Sequence, residues 1–249
     1  MDVILTSTCR STIVKTLESF KKNVHYSGDV HFILNIDVLS KNKKYFSTLM
    51  GFLKKLMITD ININENPGGF HEGHTKAICY LYRRIESPIF FHLQDDWVFL
   101  KKINLDPLME IMNKYVDIDH IRFSKEKIKE KTWLYHLSEE VSDEYLVPNT
   151  ELNIDGLPFV HTLTWSFNPS LARTSVVKKF TNIPEGIRAE TFICKNYPII
   201  FNHQGTYIYG KIGSPPTVKD IGRNRFLNCL RKNKYILIGK KYADYYFGY

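Results

Sequence analysis

The run Pro88-Ile-Phe-Phe-His-Leu-Gln-Asp-Asp-Trp-Val-Phe-Leu100 decides how this chain is to be read. Apolar and aromatic residues lead without interruption to two adjacent carboxylates, Asp95 and Asp96, and apolar residues resume behind them. A continuous apolar run bounded by Ser87-Pro88 predicts a strand buried on both faces. Two acids at the end of such a strand are held rigidly at a place that water still reaches. Carboxylate oxygens suit Mg²⁺ or Mn²⁺, which is commonly held by one or two carboxylates together with substrate phosphates. On spacing alone, two surface acids opening a loop would read the same way, so the neighbouring elements have to decide.

Working back from this strand, Asp2–Ser7 predicts a first core strand, with Thr8-Cys9-Arg10 as its turn. Ile13, Val14, Leu17 and Phe20 fall on one face of a helix over 11–22. A second strand, His31–Ile36, ends on Asp37, a basic amphipathic helix spans 41–55, and a third strand covers 58–63. Asn64-Glu-Asn-Pro-Gly-Gly69 is a turn signal, and a helix follows from about His74 to Ile85. This strand–helix alternation over residues 1–100 predicts an α/β fold with a mostly parallel central sheet flanked by helices. In such sheets ligands bind beyond the carboxyl ends of the strands, where Asp37 and Asp95/Asp96 both fall.

Working forward, the second half is less regular and predicts a mixed α/β part. A helix is expected over 105–116 and a short strand over 121–123. The charge run 125–131 reads as a solvated face. His161–Phe167 alternates like a strand, and Asn168-Pro169-Ser170 reads as a helix start with Asn168 as N-cap. Another helix is expected from Glu185 or Ile187 to about Cys194, a strand over 198–209, and a Gly/Pro/Lys loop over 210–222. We expect one domain over 1–249, in two halves (1–100 and 101–222) followed by a basic, aromatic tail (223–249).

Composition narrows the class. The chain has 249 residues, 43% of them hydrophobic and 24% charged, the balance of a soluble globular protein with room for a large core. No apolar run has bilayer-spanning length, and Met1-Asp2 lacks the basic start of a secretory signal. Cys9, Cys79, Cys194 and Cys229 are scattered without a CxxC pair, which fits a reducing cytoplasm and argues against a zinc ribbon. A formal charge of +8 suits an anionic ligand: a nucleotide, a nucleic acid or a membrane surface.

Several chemistries are excluded by motif. His71-Glu-Gly-His74 has its histidines three apart, whereas the zinc-protease helix needs them at i and i+4. There is no Walker A loop, no GxGxxG and no G-x-S-x-G.

In order and spacing, Thr6–Arg10, Leu17-Glu-Ser-Phe20, Asp37, Asn66-Pro-Gly-Gly69 through Lys76-Ala-Ile78, and Gln94-Asp-Asp96 resemble the GT-A nucleotide-sugar glycosyltransferases, the large family 2 group in particular. The resemblance covers residues 1–100 well and is looser beyond. It implies a GT-A-like (Rossmann-like) sheet, a nucleoside-diphosphate sugar as donor, and a division into a nucleotide-sugar-binding half (1–100) and an acceptor half (101–222). It also implies Mn²⁺ or Mg²⁺ as cofactor, an inverting transfer, and a glycan, protein or lipid-linked acceptor. By the same resemblance Thr6 and Arg10 line the donor pocket, Asp37 hydrogen-bonds the base or ribose, and Gly68 and Lys76 meet the donor phosphates. The family's Asp-x-Asp motif has Gln94 in its first place here; Asp96 takes the metal-binding place and Asp95 the middle one. Glu190 in Arg188-Ala-Glu-Thr191 is the preferred catalytic base over Glu185, although the family's usual Glu-Asp pair is absent. Trp165 is a candidate for stacking on an acceptor sugar, with core packing as its alternative, and His203 a candidate third metal ligand.

Two other functions fit parts of the pattern. A nucleotidyltransferase acting on sugar phosphates shares the strand-end acid but opens on a Gly-rich loop, which Thr6–Arg10 lacks. A non-catalytic binder of nucleic acid or of a membrane surface would use the tail Arg231–Lys241, a peripheral membrane contact included. Acids at the strand ends would repel a polyanion, which disfavours nucleic acid.

Overall fold

The computed structural model describes residues 1–65, 68, 70–133, 146–163, 165–201 and 205–222. Its centre is a nine-stranded sheet. In chain order the strands are β1 (Asp2–Ser7), β2 (His31–Asp37), β3 (Asp60–Asn64), β4 (Ile89–Gln94), β5 (His120–Arg122), β6 (Thr150–Ile154), β7 (Leu157–His161), β8 (Ser170–Arg173) and β9 (Thr206–Tyr209). Across the sheet they run β6-β7-β9-β5-β8-β4-β1-β2-β3. The strands β4-β1-β2-β3 are mutually parallel, as the apolar runs of the first hundred residues predict. Beyond β4 the sheet is mixed: β8 is antiparallel to both β4 and β5, and β9 returns parallel to β5.

The two-residue side-chain period of the parallel strands sorts the core into two layers. Val3, Leu5, Leu34, Ile36, Phe91 and Leu93 pack against α1 (Thr12–Asn23), α2 (Phe46–Lys55) and α4 (Asp106–Lys114). Ile4, Ile33, Phe90 and Ala172 face α3 (Phe70–Arg84), α5 (Thr174–Val177) and α6 (Ala189–Phe201). Phe20 of α1 anchors the first layer, with its ring edge-on to Phe91 at 5.2 Å and to Phe32 and Phe99 at 5.7 Å. Burial of such a ring contributes roughly 1.5–3 kcal/mol.

Several expectations for the second half are corrected. The strand expected over 161–167 is displaced toward the N-terminus: β7 ends at His161, where that strand was to begin, and residues 165–167 are tied to α6 instead by Phe167 N–H to Glu190 Oε1 (3.1 Å) and Cys194 Sγ–H to the Trp165 carbonyl (3.1 Å). Asn168 caps no helix, because Ser170–Arg173 is claimed as β8 by pairing on both sides, and the helix that follows has only four residues. α6 runs on through Pro198 to Phe201, so the strand predicted over 198–209 is reduced to β9. Within the 210–222 loop, Val218–Asp220 pairs antiparallel with Trp97–Phe99 behind the acidic motif. The 125–131 run is exposed as expected, except for Ile128, which is buried against Val160 and Ile208. No helix among the described residues is long and apolar enough to cross a membrane.

Candidate active site

The parallel order β4-β1-β2 carries Gln94–Asp96, Thr6–Arg10 and Asp37 to one edge of the sheet, with Thr6 in register with Asn35 on one side and Gln94 on the other. Strand β1 hands over to a tight loop. Cys9 is buried with φ +57°, a left-handed conformation that turns the chain so that Arg10 folds back toward β4. The loop is fastened by Ser7 Oγ, which accepts from Cys9 N–H (3.1 Å) and donates to Asp95 Oδ2 (2.7 Å). Asn42 Nδ2 donates to the Thr8 carbonyl (2.6 Å).

Asp95 is 2% exposed, and both of its oxygens are engaged. Oδ2 accepts from Ser7 Oγ, Thr8 N–H (3.1 Å) and Arg10 Nε (3.3 Å), while Oδ1 receives Arg10 Nη2. Expected as a second metal ligand, this carboxylate is instead the anchor of the 7–10 loop. Asp96 is more open, with a fifth of its side chain accessible, and Arg10 Nη2 reaches its Oδ2 at 3.2 Å. Burial, and then the Asp95 carboxylate, push the Asp96 carboxyl up to about 6 against the pull of Arg10; Asp220 adds to the rise. Burial acts to lower Arg10, but Asp95 and then Asp96 outweigh it and hold the guanidinium charged.

Asp220 arrives from the late strand Val218–Asp220, whose continuation lies directly on the acid: Ile221 N–H donates to the Asp96 carbonyl at 2.7 Å. A methyl group on Gly222 would stand 2.6 Å from Asp96 Cβ and 2.9 Å from Cγ, and would also collide with Oδ2. Gly222→Ala is therefore expected to displace either Asp96 or the 221–222 backbone, at roughly 1–3 kcal/mol for overpacking. Thermal melting checks this, since an unchanged Tm would mean the segment does not rest on Asp96.

Asp37 is buried at the end of β2. Its Oδ1 accepts from Asn35 Nδ2 (3.0 Å) and Asn64 Nδ2 (3.3 Å), and Asn62 extends the row by donating to Asn35 Oδ1 (2.6 Å). Burial raises the Asp37 carboxyl, and the two amides oppose that rise.

Residues of α3 and α6 approach the acidic motif through a chain of contacts. His74 Nε2 lies 3.3 Å from Gln94 Nε2, and Trp97 Nε1 donates to Gln94 Oε1 at 3.4 Å. The His74 ring is 5.9 Å from that of Phe167, whose backbone N–H is held by Glu190. Glu190 thus connects through Phe167 and His74 to the acidic motif, with its Oε2 3.3 Å from Arg188 Nη2 and 28% of its side chain accessible.

Other expected residues lie elsewhere. Lys76 is on the face of α3 opposite His74, paired with Glu72 and 3.7 Å from Glu185. It lines a separate cavity of about 410 Å³ between α3 and the 181–186 loop, away from the strand ends. Glu185 lines that cavity too, which parts it from Glu190. Gly68 has φ +78° and is exposed, and a β-carbon added there would meet the Glu72 carboxylate at 3.0 Å. Trp165 is 3% exposed and stacks on His120 at 4.2 Å, so it packs in the core and presents no face to a sugar. His203, Asn66, Pro67, Gly69 and the tail from Arg223 lie outside the described residues. His74, Ser7, Asp220 and Gly222 were not singled out for this site by sequence, because each is brought there by a partner distant in the chain.

A mostly parallel sheet with its acids at the carboxyl edge of β4 and an antiparallel strand inserted beside it is the GT-A fold of the nucleotide-sugar glycosyltransferases. Among solved structures, S. aureus TarS superposes with a TM-score of 0.53 at 14% identity, over 98% of this chain and 41% of that one. A shorter form of TarS gives 0.51 at 13% identity, over 93% and 63%. The mannosyltransferase PcManGT of Pyrobaculum calidifontis gives 0.54 at 9% identity, over 92% and 59%. This chain spans less than two thirds of each of these proteins. No protein-family model matches the chain, and no curated protein matches it in sequence.

Proposed function

We propose that the protein is a glycosyltransferase that moves a sugar from a nucleoside-diphosphate donor to a hydroxyl of a glycan or related acceptor, with inversion. The observation that carries this reading is the gathering of Asp37, Arg10 and Gln94–Asp96 at the carboxyl edge of the parallel strands, with Glu190 linked toward that edge through Phe167 and His74. In support, PcManGT, which shares the fold, has been solved with GDP-Man and Mn²⁺.

Asp37, with its Asn35–Asn62–Asn64 amide row, would accept hydrogen bonds from the nucleoside. Asp96 fits a divalent ion: it is accessible, and the crowding of Asp95 and Asp220 around it is of the kind a cation relieves. One carboxylate plus donor phosphates is a normal Mg²⁺ or Mn²⁺ donor set. When bound, the ion would supply charge neutralisation for the departing diphosphate. Arg10 would contribute the fixed positive charge beside it, and Asp95 would keep Arg10 there. Glu190 would take the proton of the attacking hydroxyl, oriented by Phe167 N–H and Arg188.

The test is a thermal-shift panel of UDP, GDP, CDP and dTDP sugars with and without Mn²⁺. One nucleotide is expected to raise the Tm only with metal, and Asp96→Asn to remove that response. A panel in which no nucleotide binds either form would sink the donor site.

A further inference from the structure

Arg122 closes strand β5 at the carboxyl edge of the sheet. It is partly buried, yet among the described residues its guanidinium has no hydrogen-bond or ion-pair partner. An arginine withdrawn from water without a partner is costly, and an anion is what its planar fork matches. Sheet register supplies a second, independent feature. Arg122 pairs with Ser170 of β8, and Ser170 with His92 of β4, so the three side chains stand in a row on one face. Ser170 is 1% exposed and His92 2%, and among the described residues neither Ser170 Oγ nor His92 Nε2 has a hydrogen-bond partner. Burial, and then His74, lower His92 to about 3, so its ring is neutral and donates from one nitrogen. α6 brings Cys194 and Glu190 near Arg122 from above, but the oxygens of Glu190 are taken up by Phe167 and Arg188.

We infer that Arg122, with Ser170 beside it, is a receptor for an anionic group on the acceptor, so that the acceptor is an acidic glycan bearing a carboxylate or a phosphate. The inference rests on the glycosyl-transfer reading for the word acceptor, and on the Arg122 row for the anion. Position favours acceptor over donor. β5 lies two strands from β4, roughly 10 Å at ordinary strand spacing, on the Glu190 side of the acidic motif. The donor's diphosphate has its own cation in Arg10. An acceptor anchored at Arg122 would hold its hydroxyl near Glu190, the group that must receive its proton.

The experiment titrates inorganic phosphate and, separately, glucuronate against the full chain, following Tm, for wild type, Arg122→Met, Arg122→Lys and Ser170→Ala. Wild type should rise by roughly 3–6 °C at tenfold the Kd of the favoured anion. A response to phosphate assigns a phosphate-bearing acceptor, and a response to glucuronate a carboxylate-bearing one. Arg122→Met should lose the response, while Arg122→Lys and Ser170→Ala keep part of it. Without anion, Arg122→Met should melt at or above the wild-type temperature, because an unpaired charge has been removed. A structural arginine would instead give a clear drop, and that drop would overturn the proposal. So would a wild type indifferent to both anions, or an Arg122→Met that still responds in full. UDP and GDP with Mn²⁺, run on the same proteins, separate the two readings. Loss of the nucleotide response in Arg122→Met alone would place Arg122 in the donor site and overturn the acceptor assignment. Absence of a nucleotide response in wild type, with an anion response that depends on Arg122, would remove the transferase reading and leave the receptor.

Discussion

Asp95→Ala is expected to destabilise the protein by roughly 3 kcal/mol, the low end for breaking a buried ion pair, because Arg10 keeps about a third of its side chain in water. The alanine leaves Ser7 Oγ and Thr8 N–H without their acceptor and Arg10 without its main counter-charge. For a domain of this size that loss lowers Tm by roughly 6–12 °C. The loop that presents Arg10 should loosen with it, so that any nucleotide response falls even though Asp96 is untouched. The double variant Arg10→Met/Asp95→Leu separates the two consequences. Apolar replacement of both partners should restore much of the stability, as it often does for buried pairs, without restoring nucleotide binding. A single Asp95→Ala variant that melts with wild type would show that the pair does not organise the loop.

Glu190→Gln is expected to lower the transfer rate by roughly 10²–10⁴-fold, the usual contribution of a positioned general base, while leaving nucleotide affinity unchanged. The substitution is chosen so that the fold survives. Glutamine still offers an amide oxygen to Phe167 N–H, which Glu190 Oε1 now accepts, and so keeps the 165–168 segment in place. The basicity is removed, together with the negative charge that meets Arg188. Single-turnover rates with saturating donor measure the step directly, and undiminished turnover would exclude Glu190 and return the role to another carboxylate. Glu185 is badly placed for it, being 77% exposed beside Lys76 on the far side of α3.

The first hundred residues were legible because their signals are local. Strands β1, β2 and β4 are buried on both faces by helices on either side, so each is written as an unbroken apolar run, and each helix between them carries its own apolar stripe. The second half failed where long-range pairing overrode local preference. Asn168-Pro169-Ser170 has the composition of a helix start, yet Ser170–Arg173 gains two ladders by entering the sheet between β4 and β5. One local signal went unread: Asp155-Gly156, with φ +49° and +85°, is the two-residue turn joining β6 to β7, and Asp-Gly between strands is a strong hairpin signature.

The site divides in the same way. Asp37, Asp95 and Asp96 could be placed at strand ends from sequence, because a strand's end is marked by where its apolar run stops. That Asp95 holds Arg10 whereas Asp96 stays accessible depends on how the 7–10 loop folds over β4, and no pattern in residues 88–100 encodes it. Lys76 and His74 are two positions apart on α3. Only the packing of that helix against Phe167 and the 181–186 loop decides which of them meets Gln94.

By itself, then, the sequence determined a parallel α/β sheet and the edge of it at which acids gather, since periodicity and run length act between near neighbours. Tertiary structure alone decided which acid stays accessible, which helix face meets the acidic motif, and that Arg122, Ser170 and His92 form one row. Those outcomes are set by register between strands distant in the chain, where a shift of one residue would turn each side chain to the other face.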